Sequence, residues 1–154
     1  MTVTAPHLIF PLSPDPDMAS QELLDRLNEQ LNRDVTTFLR YMLQAASIKG
    51  AQYESVREMY LEEVLDEVEH AQYLANQIEM LGGTPDLDPN LTPPPRDVPE
   101  MLQSDAEEEK MDVQNYKRLA SLAEEEDLIA LKNAMEEQAV DEDEHGQEMR
   151  RLLG

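Results

Sequence analysis

The sequence predicts an all-α fold, a four-helix bundle whose second half repeats the first. Four segments carry apolar residues three and four positions apart, which is the spacing of one face of an amphipathic helix. Two proline-rich stretches, one at the N-terminus and one between the second and third segments, interrupt this pattern. Glu-x-x-His pairs stand in the second and fourth segments, at Glu67–His70 and Glu142–His145. These observations favour two similar helix pairs joined by a long connection.

The first proline-rich stretch, residues 1–18, is incompatible with a regular helix because of its four prolines. We predict an extended N-terminal arm whose apolar residues, among them Leu8 and Phe10, lie on the bundle or on a neighbouring subunit. His7 falls in this arm and is predicted to be a surface residue. The remaining residues, 19–154, are predicted to form the bundle.

Capping and helix-breaking residues set the predicted limits of the four helices. The first helix should cover about residues 19–49, because Ser20 is a good N-cap and Gly50 breaks the helix after it. The second should cover about 52–81, ahead of two consecutive glycines. The third and fourth helices are predicted over about 98–123 and 127–153.

The connection between the second and third helices, Thr84 to Pro99, holds six prolines and lacks apolar periodicity. A helix of about 26 residues is about 39 Å long, whereas the 18 residues from Gly82 to Pro99 reach about 55 Å in polyproline geometry. The connection is therefore long enough to cross the whole bundle. This predicts a long crossover between the second and third helices rather than an up-down-up-down bundle.

The composition excludes several classes of function. In 154 residues, 34 acidic against 12 basic side chains give a net charge of −22, which repels nucleic acid and anionic membrane surfaces and attracts cations. The chain has no cysteine and therefore no disulfide, thiolate zinc site or iron–sulfur cluster. It has no apolar run of membrane-spanning length and no recognisable signal peptide, so we expect a cytoplasmic location.

Acidic residues interrupt the apolar faces of all four predicted helices near the helix centres. Each Glu-x-x-His pair follows an acid on the preceding helix by 33 positions, and a constant shift of 75 positions relates the two halves. Two carboxylates plus two Glu-x-x-His pairs form the ligand set of a carboxylate-bridged two-metal site in a four-helix bundle. The predicted metal ligands are Asp34, Glu67 and His70 in the first half, and Glu109, Glu142 and His145 in the second.

Charge and ligand type indicate which ions this site would take. Burying four carboxylates without cations costs on the order of several kcal/mol each, and two divalent ions offset the four charges. Mixed oxygen and imidazole ligands suit iron or manganese, and zinc competes for them. The predicted roles are bridging for Glu67 and Glu142, one metal for Asp34 with His70, and the other for Glu109 with His145.

Four further residues are placed near the metals by the same repeat. Asp66 and Asp141 precede the bridging glutamates, and we predict that they accept the second N–H of the histidines across the bundle. Tyr41 and Tyr116 stand one heptad beyond the first acid of each half and should line the cavity. Two interpretations of these tyrosines stay open: redox-active groups near the metals, or hydrogen-bonded core residues.

Short motifs outside the ligands also stand in a characteristic order. They are Leu27-Asn28, Asp66-Glu67 with His70-Ala71, Met80-Leu81-Gly82-Gly83-Thr84-Pro85, Glu100-Met101-Leu102-Gln103-Ser104-Asp105, and Asp141-Glu142. Through them and the six ligand positions, residues 20–153 resemble the ferritin-like di-iron superfamily and, within it, bacterioferritin. The resemblance implies a ferroxidase centre with two Fe ions per subunit, which oxidises Fe(II) with dioxygen or hydrogen peroxide for iron storage or detoxification. It also implies a homo-oligomer.

The sequence departs from the bacterioferritin pattern at three places. Asp34 replaces the family's first glutamate ligand and is one methylene shorter. Val68 stands where that family has its haem-binding methionine, so we expect no haem. The chain ends at Gly154 without a fifth helix, so we do not expect the four-fold contacts of a 24-subunit shell. Asp112 falls where rubrerythrin-like proteins carry an extra carboxylate ligand, and we favour an ordinary helix-flank residue there.

Three functional hypotheses follow from these observations. The leading one is a haem-free, bacterioferritin-like ferroxidase. The second is a rubrerythrin-like di-iron peroxidase or oxidase that uses an external electron donor, because the chain has no rubredoxin module of its own. The third is a metal-independent helical assembly protein whose acidic residues only keep it soluble.

Overall fold

The computed structural model describes residues 18–154, and four long helices account for most of them. Helix α1 spans Gln21–Ser47, α2 spans Glu54–Met80, α3 spans Val98–Glu125 and α4 spans Ile129–Leu153. No strand occurs in this part of the chain. The prediction of an all-α four-helix bundle is confirmed. The predicted extended arm and His7 fall almost wholly in residues 1–17, which lie outside the described range.

The helix limits differ from the predicted ones by a few residues, for local reasons. Helix α1 begins after Ser20, whose Oγ accepts a hydrogen bond from the Leu23 N–H. Helix α2 begins at Glu54, later than predicted, because Ala51–Tyr53 form a 3-10 turn. Helix α4 begins two residues later than predicted because Asp127 adopts the left-handed conformation, with φ 58°, that ends α3.

Two glycines end α2 and turn the chain into the connection. Gly82 has φ +84°, in the left-handed region, and its N–H donates to Glu79 O. The Gly83 N–H donates to Ile78 O at 2.9 Å, which completes a Schellman motif. A Cβ on Gly83 would lie 2.8 Å from Leu24 Cδ2, so any larger residue there would displace the Leu24 side chain of α1.

Three polar side chains of α1 hold the first half of the connection, from Thr84 to Asn90. We call Asn28, Asn32 and Thr36 the ladder. Asn28 and Asn32 each accept from one backbone N–H of the connection and donate to one of its carbonyls, with partners at Thr84, Asp86 and Asp88. Thr36 Oγ1 accepts from the Asn90 N–H at 2.9 Å. Four helical residues rise about 6.0 Å and two extended residues span about 6.2 Å, so the two periods match.

The ladder fixes the topology of the bundle. The connection runs beside α1 in the same direction as α1, from the helix start to the prolines that lie near Leu43 and Ser47. Helix α3 therefore begins at the C-terminal end of α1 and runs antiparallel to it, as the contacts from Gln30 to Asp112 and from Gln44 to Asp105 show. This is the long crossover that the proline-rich segment predicted.

The apolar core is divided by the polar centre of the bundle. One cluster contains Leu27, Leu74 and Met135, and the other contains Tyr60, Met101 and Met149. The carboxylates and histidines predicted from the repeat lie between these clusters. Among residues 18–154, no helix has the length and apolar character needed to cross a bilayer.

The ladder predicts a measurable contribution to stability. Replacing Asn32 with alanine removes a donor and an acceptor and leaves two backbone groups of the connection without their partners. We expect the free energy of unfolding to fall by about 1–2 kcal/mol. Urea unfolding followed by circular dichroism measures the loss. The control is Asn133→Ala, an exposed asparagine of α4, which should change stability by less than about 0.5 kcal/mol. Equal effects of the two substitutions would contradict the ladder.

Candidate metal centre

All four helices contribute buried polar side chains to one place at mid-bundle. Helix α1 supplies Asp34, α2 supplies Glu67 and His70, α3 supplies Glu109, and α4 supplies Glu142 and His145. Each of these residues is at most 8% exposed. The helical spacing explains this, because each Glu-x-x-His pair puts both side chains on one face. The structure thus brings all six predicted ligands together.

The potential ligand atoms fall into two overlapping groups. In the first group, one atom each from Asp34, Glu67 and His70 lies within 4.8 Å of the others. The second group joins Glu67, Glu109, Glu142 and His145 in the same way. Glu67 belongs to both groups, as a residue between two metals would.

The Glu142 carboxylate lies between the two imidazoles. Its Oε1 is 3.0 Å from His70 Nδ1, and its Oε2 is 3.1 Å from His145 Nδ1. The two histidine rings are nearly parallel, with centroids 6.5 Å apart. Glu142 therefore contacts both halves of the site, which is the arrangement a second shared ligand requires.

The outer nitrogens of the histidines face acids on the opposite helix. His70 Nε2 is 3.4 Å from Asp141 Oδ2, and His145 Nε2 is 3.6 Å from Asp66 Oδ2. These are the cross-bundle pairs that the repeat predicted. Glu63 adds a contact that the prediction did not assign, because its Oε2 lies 2.8 Å from His145 Nδ1.

Tyr41 and Tyr116 are fully buried and touch the cluster from opposite ends. The Tyr41 hydroxyl donates to Glu109 Oε1, and the Tyr116 hydroxyl donates to Asp34 Oδ2 at 2.5 Å. Each tyrosine of one half thus holds a carboxylate of the other half. The two contacts follow the internal repeat.

The electrostatics of the site show how strongly its carboxylates repel one another. Burial, together with the charge of Glu142, raises the pKa of Asp34, of Glu67 and of Glu109 well above the usual range. Burial also acts on Glu142, but its hydrogen bonds with His145 and His70 outweigh this and lower its pKa to about 2. Without metal, protons must therefore neutralise much of the site.

The histidines carry part of that neutralising charge. Burial alone would lower their pKa, but contact with Glu142 raises the pKa of His70 to about 8. Glu142 and Glu63 together raise the pKa of His145 to about 11. A cation placed among these ligands would take over the role of the two imidazolium protons.

The residues fit a pair of divalent cations. Glu109 Oε2 is buried and has no hydrogen-bond partner among the described residues, although a buried carboxylate oxygen needs one. Four carboxylates and two imidazoles match the oxygen and nitrogen preferences of iron and manganese. Metals bound here would polarise a small oxidant and exchange electrons with it.

Several polar side chains beside the site connect α1 to α3 and were not assigned to it from the sequence. Arg33 Nε donates to Asp112 Oδ1 at 2.6 Å, and Arg40 Nε lies 2.9 Å from Asp105 Oδ1. Gln30 Nε2 donates to both Asp34 and Asp112 at 2.8 Å. Asp112 is therefore buried, and its carboxylate is bound by α1. The seven-residue spacing of both the arginines and the aspartates was the available signal.

The bundle topology and the buried cluster define a class of protein, the four-helix bundles with a carboxylate–histidine centre that can hold two metals. The ferritin-like domain family matches residues 24–154, and the chain belongs to this family.

Solved structures agree with this assignment. A ferritin-like, diiron-carboxylate protein from Bacillus anthracis str. Ames is 31% identical, with a TM-score of 0.84 over 93% of this chain and 100% of that chain. The dodecameric thioferritin of Bacteroides fragilis, a bacterioferritin-related protein, is 24% identical, with a TM-score of 0.80 over 89% and 87%. Mycobacterium tuberculosis bacterioferritin BfrA is 21% identical, with a TM-score of 0.80 over 88% and 86%. Comparison with curated proteins gives no match.

The shifted pKa values predict how the stability of the metal-free protein depends on pH. Groups whose pKa is raised on folding stabilise the protein at low pH and lose that contribution as the pH rises. The carboxylates with a raised pKa and His70 both lower the free energy of unfolding as the pH rises from 5 to 8. His70 alone accounts for a loss of about 2 kcal/mol. We expect the melting temperature of the metal-free protein to fall as the pH rises from 5 to 8.

Saturating Mn(II) should reverse this trend, because protons and metal compete for the same ligands. The rise in melting temperature on adding Mn(II) should be largest at pH 8 and smallest at pH 5. Glu67→Gln should weaken both the pH dependence and the response to metal, whereas Glu79→Gln, at an exposed acid of α2, should leave both unchanged. Calorimetric scans that show equal metal responses in the two variants would contradict a metal site at Glu67.

Proposed function

We propose that the protein is a bacterioferritin-like ferroxidase that oxidises Fe(II) at the buried carboxylate–histidine centre, for iron storage or detoxification. The observation that carries the proposal is the pair of overlapping ligand groups that share Glu67 and are buried at the centre of the bundle, between its two apolar clusters. In a metal-independent assembly protein, four carboxylates buried together would destabilise the fold, because their mutual repulsion opposes folding.

In this proposal each Fe(II) substrate ion has its own ligands and two shared ones. Asp34 and His70 hold one ion, and Glu109 and His145 hold the other, as the two groups suggest. Glu67 and Glu142 would lie between the ions, and their negative charge favours the Fe(III) product. Each Fe(II) gives one electron to dioxygen or hydrogen peroxide.

The acidic lining of a groove between α2 and α4 favours a cationic substrate. The groove has a volume of about 590 Å³ and reaches His70 and His145. Seven acids line it, namely Glu62, Glu63, Asp66, Glu69, Glu137, Asp141 and Glu144. Low-dielectric walls of one charge sign concentrate counter-ions, so the groove would attract Fe(II) toward the site.

Tyr41 and Tyr116 are proposed as electron donors to the oxidant. Their hydrogen bonds to Glu109 and Asp34 connect each phenol to one half of the centre. A second function, the rubrerythrin-like peroxidase, finds no comparable support. The extra carboxylate on which it would draw, Asp112, is bound by Arg33 and Gln30.

Stopped-flow absorbance tests the ferroxidase. Wild-type protein mixed with dioxygen should oxidise about two Fe(II) per subunit in a fast phase. Glu67→Ala and Glu142→Ala should abolish this phase because each removes a ligand that both ions share. Asp34→Ala should only slow it, because it removes a ligand of one ion.

The control for these variants is Glu79→Ala, an exposed acid on α2, which should behave as wild type. Oxidation by the wild-type protein that is no faster than by Glu67→Ala would rule out the ferroxidase. Fast consumption of peroxide without accumulation of ferric product would favour the peroxidase instead.

We also propose that the protein is a homo-oligomer that assembles through an apolar surface of α1 and α2. Residues 35–53 contain no acid, although the net charge of the chain is −22. The α1/α2 face comprises the exposed residues Met42, Leu43, Leu61, Leu65 and Val68. The shift of 75 puts Lys117, Arg118, Glu136, Val140 and Asp143 at the equivalent positions of α3 and α4. The second half of the repeat is therefore suited to solvent, and the first half to a partner. Two copies of the chain repel each other through their acidic surfaces but can pack together at the α1/α2 face.

The repeat provides a matched pair of variants for this surface. Leu65 is 66% exposed and its counterpart Val140 is 56% exposed, so aspartate at either position should leave the folded subunit intact. We expect Leu65→Asp to lower the oligomer mass measured by light scattering and Val140→Asp to leave it unchanged. If both variants keep the wild-type mass, the α1/α2 face is not the interface.

A further inference from the structure

A third buried tyrosine, Tyr60 of α2, lies behind Tyr41 as seen from the metal centre. The ring centroids of Tyr41 and Tyr60 are 5.0 Å apart, with an interplanar angle of 53°. Both side chains are fully buried. Because Tyr41 donates to Glu109, the two phenols form one continuous path of contacts that ends at the centre.

Tyr60 has its own proton acceptor. Its hydroxyl donates to Asp105 Oδ2 at 2.6 Å, and Asp105 is fully buried. Arg40 Nε lies 2.9 Å from the other carboxylate oxygen, and Gln44 Nε2 donates to Oδ2 at 2.9 Å. Burial raises the pKa of Asp105 while Arg40 opposes the shift, so the carboxylate is a better base than an exposed one.

This arrangement suits one-electron oxidation of a phenol. An oxidised phenol is a strong acid, and a buried tyrosine gives up an electron readily only when its proton moves at the same time to a hydrogen-bonded base. Tyr60 has that base in Asp105, at hydrogen-bonding distance. The nearest aromatic ring along the path, that of Tyr41, is in contact and can receive the electron.

The internal repeat shows that the bundle does not need this arrangement for packing. The shift of 75 puts Met135 at the position of Tyr60, and Met135 packs in the same apolar cluster as Tyr116. Asp105 corresponds to Gln30 in the other half. Tyr116 therefore has no second phenol behind it, and the paired tyrosines belong to one half only.

We propose that Tyr60 and Asp105 form a redox pair that reduces Tyr41 after Tyr41 has given an electron to the oxidant at the centre. Tyr60 loses one electron to the Tyr41 radical and its hydroxyl proton to Asp105, and it becomes a neutral radical. Tyr41 gains that electron and takes back, from Glu109, the proton that it released on its own oxidation. The proposal rests on the ferroxidase function, with dioxygen as the oxidant.

The consequence is that the radical moves away from the metal centre. Tyr41 is restored beside Glu109 and can give a further electron, while the oxidised group lies one residue deeper among Arg40, Gln44 and Asp105. Arg40, whose Nε lies 2.9 Å from Asp105 Oδ1, favours the deprotonated carboxylate that must accept the proton. Tyr60 and Asp105 act through Tyr41 and do not touch the substrate.

Freeze-quench electron paramagnetic resonance tests the pair. Protein loaded anaerobically with two Fe(II) per subunit is mixed with dioxygen, and ring-deuterated tyrosine identifies tyrosyl signals. In wild type we expect a first radical to be replaced by a second with a different β-proton splitting and slower relaxation, because Tyr60 is farther from the iron. In Tyr60→Phe and in Asp105→Asn the second radical should be lost and the first should persist.

Tyr73→Phe, at a half-buried tyrosine off this path, is the control and should leave both signals unchanged. Asp105→Asn keeps the shape of the side chain, so it tests the proton transfer even if Tyr60→Phe disturbs packing. Rapid Fe(II) oxidation with the same radical signals in wild type and both variants, or with none, would overturn the pair and leave the ferroxidase standing. Absence of rapid Fe(II) oxidation in wild type would overturn both.

Discussion

Repulsion among four buried carboxylates is the constraint on which the rest of the structure depends. Asp34, Glu67, Glu109 and Glu142 come from four different helices, so like charges would push all the helices apart. In the described residues two imidazoles and two phenols supply the protons that hold this cluster together. The apolar clusters above and below must supply the remaining free energy, and a pair of cations would relieve the repulsion directly.

The contact between α1 and α3 is stabilised in a different way, by ion pairs. Arg33 with Asp112 and Arg40 with Asp105 lie one heptad apart, on either side of the carboxylate cluster. The chain has only 12 lysines and arginines, and two of them form this contact. The unpaired acids therefore lie in the carboxylate cluster, in the groove between α2 and α4 and on the outer surface, where they attract cations.

Much of the fold and of the candidate site was predictable because both follow from helical periodicity. Each proposed ligand interrupts an apolar stripe, and a stripe can be recognised along one segment. The ion pairs and the Tyr60–Asp105 contact could not be predicted in the same way, because their members come from different helices. Which acid meets Arg40 depends on the register of α1 against α3, and the connection sets that register. The residues of this network are individually ordinary, and only their distances show that they belong together.

The polar ladder has a consequence for the order of folding. Its side chains match the connection only when residues 28–36 are already helical, because the match depends on the rise of the helix. We therefore expect α1 to form before the connection docks on it. The docked connection leads the chain to the far end of α1, so it leaves α3 a single direction in which to pack against α1. The proposed ligands of the two halves can come together only when the second helix pair packs in that direction.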